Sequence, residues 1–479
     1  MKNTIKNIAL TAALAITSAT AGAQSLTGYF MDNIPNINIY NPVFNPHCKV
    51  YVSIYDIYGG LGNSGFAIND MFKHISNGDK YIIDLDKIYG KLHKNNYQFA
   101  DVNVQLFNFG FRIGEGYAHA GLSIRAYENF AYPKDLLKLK DGTYFDKEST
   151  IDLSGFDAKA NLFMQYSFGY SREFSDKINF GAAIKRLKGI GNVRTKKFDM
   201  VLTTDDDMYD LSLKTDVNLQ FTIGGADLQF EYDEKGRIHD LEATNMDLDD
   251  MKSEDWRKLL WKTKSGGWAF DLGMTYDLDD KWSFAGSITD LGAIKWKKYG
   301  ISLEQKGTFD FTGVDLAKYF NNLDSLGQVM EDSIVAFATP KDDNNGYTDW
   351  LNTKIYLSGE YHLNKCIDLG MMFRAMFYNK RIHPSLTSSV NFRFGKGTQI
   401  SVSQSFINRR ANVWGLGLSQ QLGPIQLYFI FDQFSPLFWT MNGSDMADKW
   451  IRKTNMVSVQ TGMSIIIGRK KYYEKALFE

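Results

Sequence analysis

From Asp157 to Ser171 the chain alternates. Ala158, Ala160, Leu162, Met164, Tyr166, Phe168 and Tyr170 fall on one side, and Asp157, Lys159, Asn161, Gln165, Ser167, Gly169 and Ser171 on the other. A period of two puts these sets on opposite faces of a strand, whereas a helix would scatter both around its axis. The pattern returns from Tyr209 to Ile223, with Leu211, Leu213, Val217, Leu219 and Phe221 opposed to Ser212, Lys214, Asp216, Asn218 and Gln220. It recurs at 118–126, 178–184, 268–278, 355–363, 367–377 and 457–467. Soluble strands average about five or six residues, and a strand tilted across a bilayer needs about nine to eleven. Several of these runs pass ten, so length favours membrane strands over a soluble sandwich.

The predicted fold class is all-β: a transmembrane antiparallel β-barrel of fourteen strands, at 102–113, 117–127, 157–171, 177–188, 208–223, 267–278, 281–290, 353–363, 366–378, 385–394, 398–407, 412–422, 424–432 and 454–468. Sixteen is the alternative, with one more strand near 193–203 and another upstream of residue 102. Tight connections at Gly114-Glu115-Gly116, Asp279-Asp280, Asn364-Lys365, Gly395-Lys396-Gly397 and Gly423 contrast with long polar stretches around 128–156, 224–266, 291–352 and 433–453. That is the division expected between periplasmic turns and extracellular loops. Helical spacing from Ser253 to Lys262 and from Asp315 to Met330 predicts short helices in the loops. Residues 24–100, with short apolar runs around Gly59-Gly60-Leu61-Gly62, read as an N-terminal plug in the lumen, and an added strand near 50–56 competes with that reading. The barrel then takes residues 101–470 and a tail 471–479.

Composition sharpens this picture. Lys2 and Lys6, the apolar stretch Ile8 to Ile16 and Ala21-Gly22-Ala23 have the layout of a cleavable secretory signal over residues 1–23. That stretch, like every later one, is too short for a spanning helix. With 26 Tyr and 34 Phe but a mean hydropathy of −0.30, the chain suits a barrel whose strands face lipid on one side and a polar interior on the other. Lys plus Arg (54) nearly equals Asp plus Glu (55), so no net field points to nucleic acid. Two cysteines, Cys48 and Cys366, form neither a disulfide framework nor a metal spacing.

No motif marks an enzyme, and none is expected. Gly59, Gly60 and Gly62 lack the Lys-Ser/Thr of a phosphate-binding loop. His119 and Ser123 share one polar strand face, but no acidic third member accompanies them. The acidic clusters Asp205 to Asp207 and Asp247 to Asp250 lack the ordered spacing of a calcium loop; no metal or cofactor is expected. The informative charges are those on the inferred inner face: Arg112, Arg125, Lys159, Lys185, Lys214, Asp216, Asp271, Asp277, Glu360 and Arg374. Facing lipid at mid-bilayer, a Lys or Arg would cost about 2–4 kcal/mol, so these charges are expected to point into the lumen, as an ion-pair network holding a plug or as the lining of a path.

Gly28-Tyr29-Phe30-Met31-Asp32-Asn33, Asn41-Pro42-Val43-Phe44-Asn45-Pro46, Gly267-Trp268-Ala269-Phe270-Asp271-Leu272-Gly273, Thr289-Asp290-Leu291-Gly292-Ala293-Ile294-Lys295-Trp296, His383-Pro384-Ser385-Leu386 and Gly423-Pro424-Ile425-Gln426-Leu427-Tyr428 resemble, in order, a family of outer-membrane barrels of unknown function found across Bacteroidota. That family is itself similar to the outer-membrane long-chain fatty-acid transporters. The resemblance implies a fourteen-stranded barrel in the cell outer membrane with a plug carrying Asn41, Pro42, Asn45 and Pro46, although the transporters' Asn-Pro-Ala reads Asn-Pro-Val here. Partners implied are outer-membrane lipid and lipopolysaccharide, with a small hydrophobic ligand passing through the barrel or, as the alternative, a protein partner of a barrel that serves as an anchor in secretion or surface assembly.

Overall fold

In a computed structural model the described residues are 25–66, 72–75, 80–141, 149–204, 211–224, 226–232, 238–245, 252–297, 300–311, 339–343, 346–378, 381–394, 397–407, 411–433 and 456–469. The signal segment, both acidic clusters, the 315–330 helix and the tail lie outside them. Fourteen strands pair in one antiparallel ring: β1 (Cys48–Asn63), β2 (Asn95–Ile113), β3 (Gly116–Pro133), β4 (Asp157–Ser175), β5 (Ile178–Thr204), β6 (Gly266–Asp277), β7 (Trp282–Trp296), β8 (Lys354–Asn364), β9 (Ile367–Tyr378), β10 (Arg381–Phe394), β11 (Thr398–Ile407), β12 (Ala411–Leu422), β13 (Ile425–Asp432) and β14 (Met456–Arg469). Each pairs with the next, and β14 returns to β1, with Val50 opposite Ile467 and Tyr51 opposite Ile466. Closure leaves the wall without a free edge.

The predicted count of fourteen holds, but one member differs. The strand predicted at 208–223 is not in the wall. As Leu211–Ile223 it pairs with the upper half of β5 and with Gly300–Phe311, in a sheet that continues β5 beyond the point where β6 takes over its lower half. Its alternation is real, but its apolar side is covered by protein: Leu211 and Leu213 pack on Ile151, Leu153 and Leu202. Leu219, half-buried and paired with Leu303, lies on this extension and not on the wall, and Lys214 and Asp216 do not face the lumen. Asp216 instead pairs with Lys197 and Lys306 on the extension. In its place the ring takes β1, from within the stretch predicted to be plug. A bulge between Ser53 and Tyr55 shifts its phase, and tyrosines face inward at Tyr51 and Tyr58 while Val52, Ile54 and Ile57 face outward. With large tyrosines on the inner face beside Ser53 and Asp56 and the period broken, β1 leaves no clean alternation.

The outer face is apolar. Trp268, Phe270, Leu272 and Met274 on β6 and Leu369, Met371, Phe373 and Phe377 on β9 stand exposed, while Ala269, Asp271, Asp368, Met372 and Arg374 between them are buried. A continuous belt of this kind is far larger than water-soluble proteins expose. The tight turns at 114–115, 176–177, 278–281, 365–366 and 423–424 share one rim, and the long excursions leave from the other. Among the latter, Ser253–Trp261 forms the predicted helix, and its Leu259 packs on Met164 and Ile190 of the wall.

Candidate functional site

The interior is occupied by the chain's own N-terminal segment. Residues 25–47 make two short 3-10 turns, Thr27–Phe30 and Pro35–Ile39, and touch strands on opposite sides of the ring, which places the segment inside it. Thr27 bonds Ser403 on β11 (2.6 Å) and the Asp432 carboxylate on β13. Asn36 bonds Asp56, Ser53 and Asn108 on β1 and β2, and Tyr29 stacks on Tyr356 of β8 and bonds Ser358 at 2.9 Å. The motif residues named from sequence sit in this segment. The Asn41 amide donates to the Gly286 carbonyl (3.3 Å), its oxygen accepts from the Val43 N–H, and Asn45 exchanges hydrogen bonds with Ser171 on β4. The wall is cut to receive the segment. A Cβ on Gly273 would lie 1.9 Å from the Asn41 oxygen, one on Gly415 1.8 Å from the Thr27 hydroxyl, and one on Gly181 2.7 Å from Pro42.

Charged side chains converge on the wall of β3, β5, β6, β7 and β8. Arg125 grips Asp290 with two parallel bonds (2.8 and 3.0 Å). Lys185 reaches Asp271 (2.5 Å) and Asp290 (2.8 Å), and Lys354 reaches Asp290 at 3.5 Å. All five are at most 8% exposed. Asp290 can serve three cations because the chain takes a left-handed turn there (φ 59°) at an irregularity in the β6–β7 ladder, leaving its own N–H to donate to Asp271 (2.8 Å). Charges this deep persist only when paired. Arg374 is also buried and donates to Ser385. Higher up, Lys159 pairs with Asp349 at 3.1 Å; at the tight-turn end, Arg112 meets Glu173 at 3.4 Å. Asp277 and Glu360 line a cavity there.

Sequence reasoning named Arg125, Lys185 and Asp271 of the central cluster but neither Asp290 nor Lys354. Lys354 shares the parity of Glu360 on one strand and was available to the same argument. Asp290 was not, since an aspartate after a strand ordinarily marks a turn. His119 and Ser123 both lie on the buried inner side of β3, with no hydrogen bond between them among the described residues.

One cavity borders the segment, and a second lies in the wall away from it. The first, of about 330 Å³, lies at the tight-turn end, between Phe30, Val43 and Phe44 of the segment and wall residues including Asp277, Ser283 and Glu360. Beside it runs a chain of charges: His47 to Asp32 (3.5 Å), Asp32 to Arg393 (2.8 Å), Arg393 to Asp368 (2.6 Å) and Asp368 to His362 (2.6 Å). Burial alone would raise the Asp32 carboxyl, but the Arg393 guanidinium and the His47 imidazole outweigh it and hold it well below the usual carboxylate range. The other cavity, about 790 Å³, opens where the wall is interrupted at Leu351–Thr353, and is lined by Ile288, Leu291, Trp350 and Ile382 together with Lys159 and Arg194.

Similar barrels are found among solved structures: the Ralstonia pickettii toluene transporter TbuX (8% identity, TM-score 0.42, covering 92% of this chain and 95% of that one), the P. putida toluene transporter TodX (8%, 0.39, 94% and 96%), and a Pseudomonas aeruginosa FadL homologue (10%, 0.41, 91% and 95%). No curated protein matches this chain in sequence. A family model described as a family of unknown function, DUF5723, matches residues 42–432, a span that begins at Pro42 and takes in the central charge cluster and thirteen of the fourteen wall strands, and the chain therefore belongs to that family.

Proposed function

We propose that the chain is an outer-membrane barrel that passes small hydrophobic molecules without energy input, with residues 25–47 as its plug. The observation that carries this reading is the N-terminal segment seated inside a closed ring on glycines such as Gly273 and Gly415, where a Cβ would displace the Asn41 or Thr27 side chain. The segment packs Leu26, Tyr29, Phe30, Met31 and Ile34 on the wall, but its contacts are all non-covalent and include many hydrogen bonds that water can replace, so it can shift without breaking the ring. The apolar outer belt suits lipid, and the rim of tight turns then faces the periplasm. On the outside, Arg186 lies over the Trp268 ring (4.9 Å) and Lys188 near Trp261, an aromatic and basic pairing that suits the phosphates of lipopolysaccharide. A ligand would enter through the larger cavity at Leu351–Thr353, whose Ile288, Leu291 and Trp350 suit apolar molecules, and leave past the displaced segment. The barrel wall begins at Cys48, so the decisive deletion stops at residue 47. Removing 25–47 should raise single-channel conductance in planar bilayers severalfold, and an unchanged conductance would remove the plug from the account.

A second reading, a barrel that anchors a binding or assembly surface, is favoured by the sheet of Leu211–Ile223 and Gly300–Phe311 that extends past the wall. Native mass spectrometry of the protein extracted from its own membrane separates the two. A retained small molecule supports transport, and a stoichiometric protein partner with an empty barrel supports assembly.

A further inference from the structure

At the tight-turn end of the lumen three neighbouring strands place a serine, a histidine and an aspartate in one hydrogen-bonded row. Ser283 Oγ on β7 lies 3.0 Å from His362 Nε2 on β8, and His362 Nδ1 lies 2.6 Å from Asp368 Oδ1 on β9. The register makes the row: Ser283 pairs with Glu360, two residues from His362 on the same face, and His362 pairs directly with Asp368. We propose that Ser283, His362 and Asp368 form an acyl-transfer site facing the 330 Å³ cavity, which hydrolyses carboxylic esters small enough to enter it. This activity is separate from the channel reading, and it departs from the expectation of no enzyme.

The argument is one of roles. A carboxylate at Nδ1 holds the proton there, leaving Nε2 to accept from the serine hydroxyl. Asp368 is 1% exposed, and its second oxygen is held by Arg393 at 2.6 Å, so it cannot turn away. His362 is one-third exposed, and both it and Ser283 border the cavity, whose other side is formed by Phe30, Val43 and Phe44. That side suits an acyl chain, and the volume lies in the range of small-molecule sites. In the first step the Ser283 proton passes to Nε2 as Oγ bonds the ester carbonyl carbon. Collapse of the tetrahedral adduct breaks the bond to the alkoxide, which takes the proton back as alcohol and leaves an acyl-serine. Water, deprotonated by His362, then releases the carboxylic acid and restores the hydroxyl.

Cross-strand polar rows also occur without chemistry, so the test reads reactivity. The full-length protein, folded in detergent, is treated with an alkyl fluorophosphonate and mapped by peptide mass spectrometry. Ser283 should be the modified residue, with labelling abolished by His362→Ala and slowed at least tenfold by Asp368→Asn, in variants whose heat-modifiable gel mobility shows an intact barrel. A Ser283→Cys variant serves as the second measurement, with a small alkylating agent. Near pH 6.5 its new thiol should react at least tenfold faster than the exposed Cys366, and His362→Ala should remove the advantage. If Ser283 stays unlabelled in the folded protein and the new thiol reacts no faster than Cys366, the row is structural and the proposal fails; labelling or thiol activation that depends on His362 sustains it.

Discussion

Asp290 is the residue on which the interior turns. Three cations meet its carboxylate, and among the described residues only Lys185 makes a second ion pair, so Asp290→Ala leaves Arg125 and Lys354 buried without a carboxylate in contact, with Asp101 acting on them only at longer range. Breaking a buried pair in this way costs about 3–5 kcal/mol, and the midpoint of urea-induced loss of the folded gel band should fall accordingly. A shift within error of wild type would mean that water relieves the cluster. Gly273 offers the complementary test, because a valine there must push Asn41 away; Gly273→Val should raise conductance as the deletion of 25–47 does, with the wall intact. Asp32 sets the pH behaviour. Its depressed titration means that the pairing with Arg393 is fully present above the ordinary carboxylate value of about 3.9 and is lost only as pH falls through the lower folded value. Conductance should thus stay low from neutral pH to about 4 and rise only in stronger acid, whereas Asp32→Asn, losing a bond worth about 1.5–3 kcal/mol, should open more often at neutral pH.

At the scale of elements, period-two alternation has two meanings here. On β4 Leu162, Phe168 and Tyr170 face outward and stay exposed, with Met164 of the same set covered by Leu259, and on Leu211–Ile223 none of an equally regular set is exposed. Substitution separates the two. Phe168→Arg should cost about 2–4 kcal/mol if it lies at mid-bilayer and lower the yield of folded barrel in lipid vesicles, and Leu219→Arg should fold at nearly wild-type yield. Equal losses would put the extension strand back into the wall. The converse case is β1. Its bulge and inward tyrosines erase the alternation, yet it closes the ring against β14 on both sides of that bulge, with Cys48 opposite Arg469 and Tyr55 opposite Met463.

At the scale of the molecule, the ring, the segment and the charge clusters depend on one another. The segment needs glycines from β5, β6 and β12, and the Asp290 cluster draws on five wall strands, so neither exists until the ring closes. What the sequence determined by itself was what repeats locally: thirteen wall strands, the tight turns of one rim, the helix at Ser253–Trp261 and the burial of Arg125, Lys185 and Asp271, since strand pleat and the cost of a charge in an apolar setting act at each position separately. Tertiary structure alone decided that β1 belongs to the wall and Leu211–Ile223 does not, because a covered apolar face and a lipid-facing one have the same pattern. It also decided that Asp290 turns inward, which required a left-handed residue at a break in the ladder, and that Ser283, His362 and Asp368 share a row, because residues 79 positions apart meet only through the register of three paired strands.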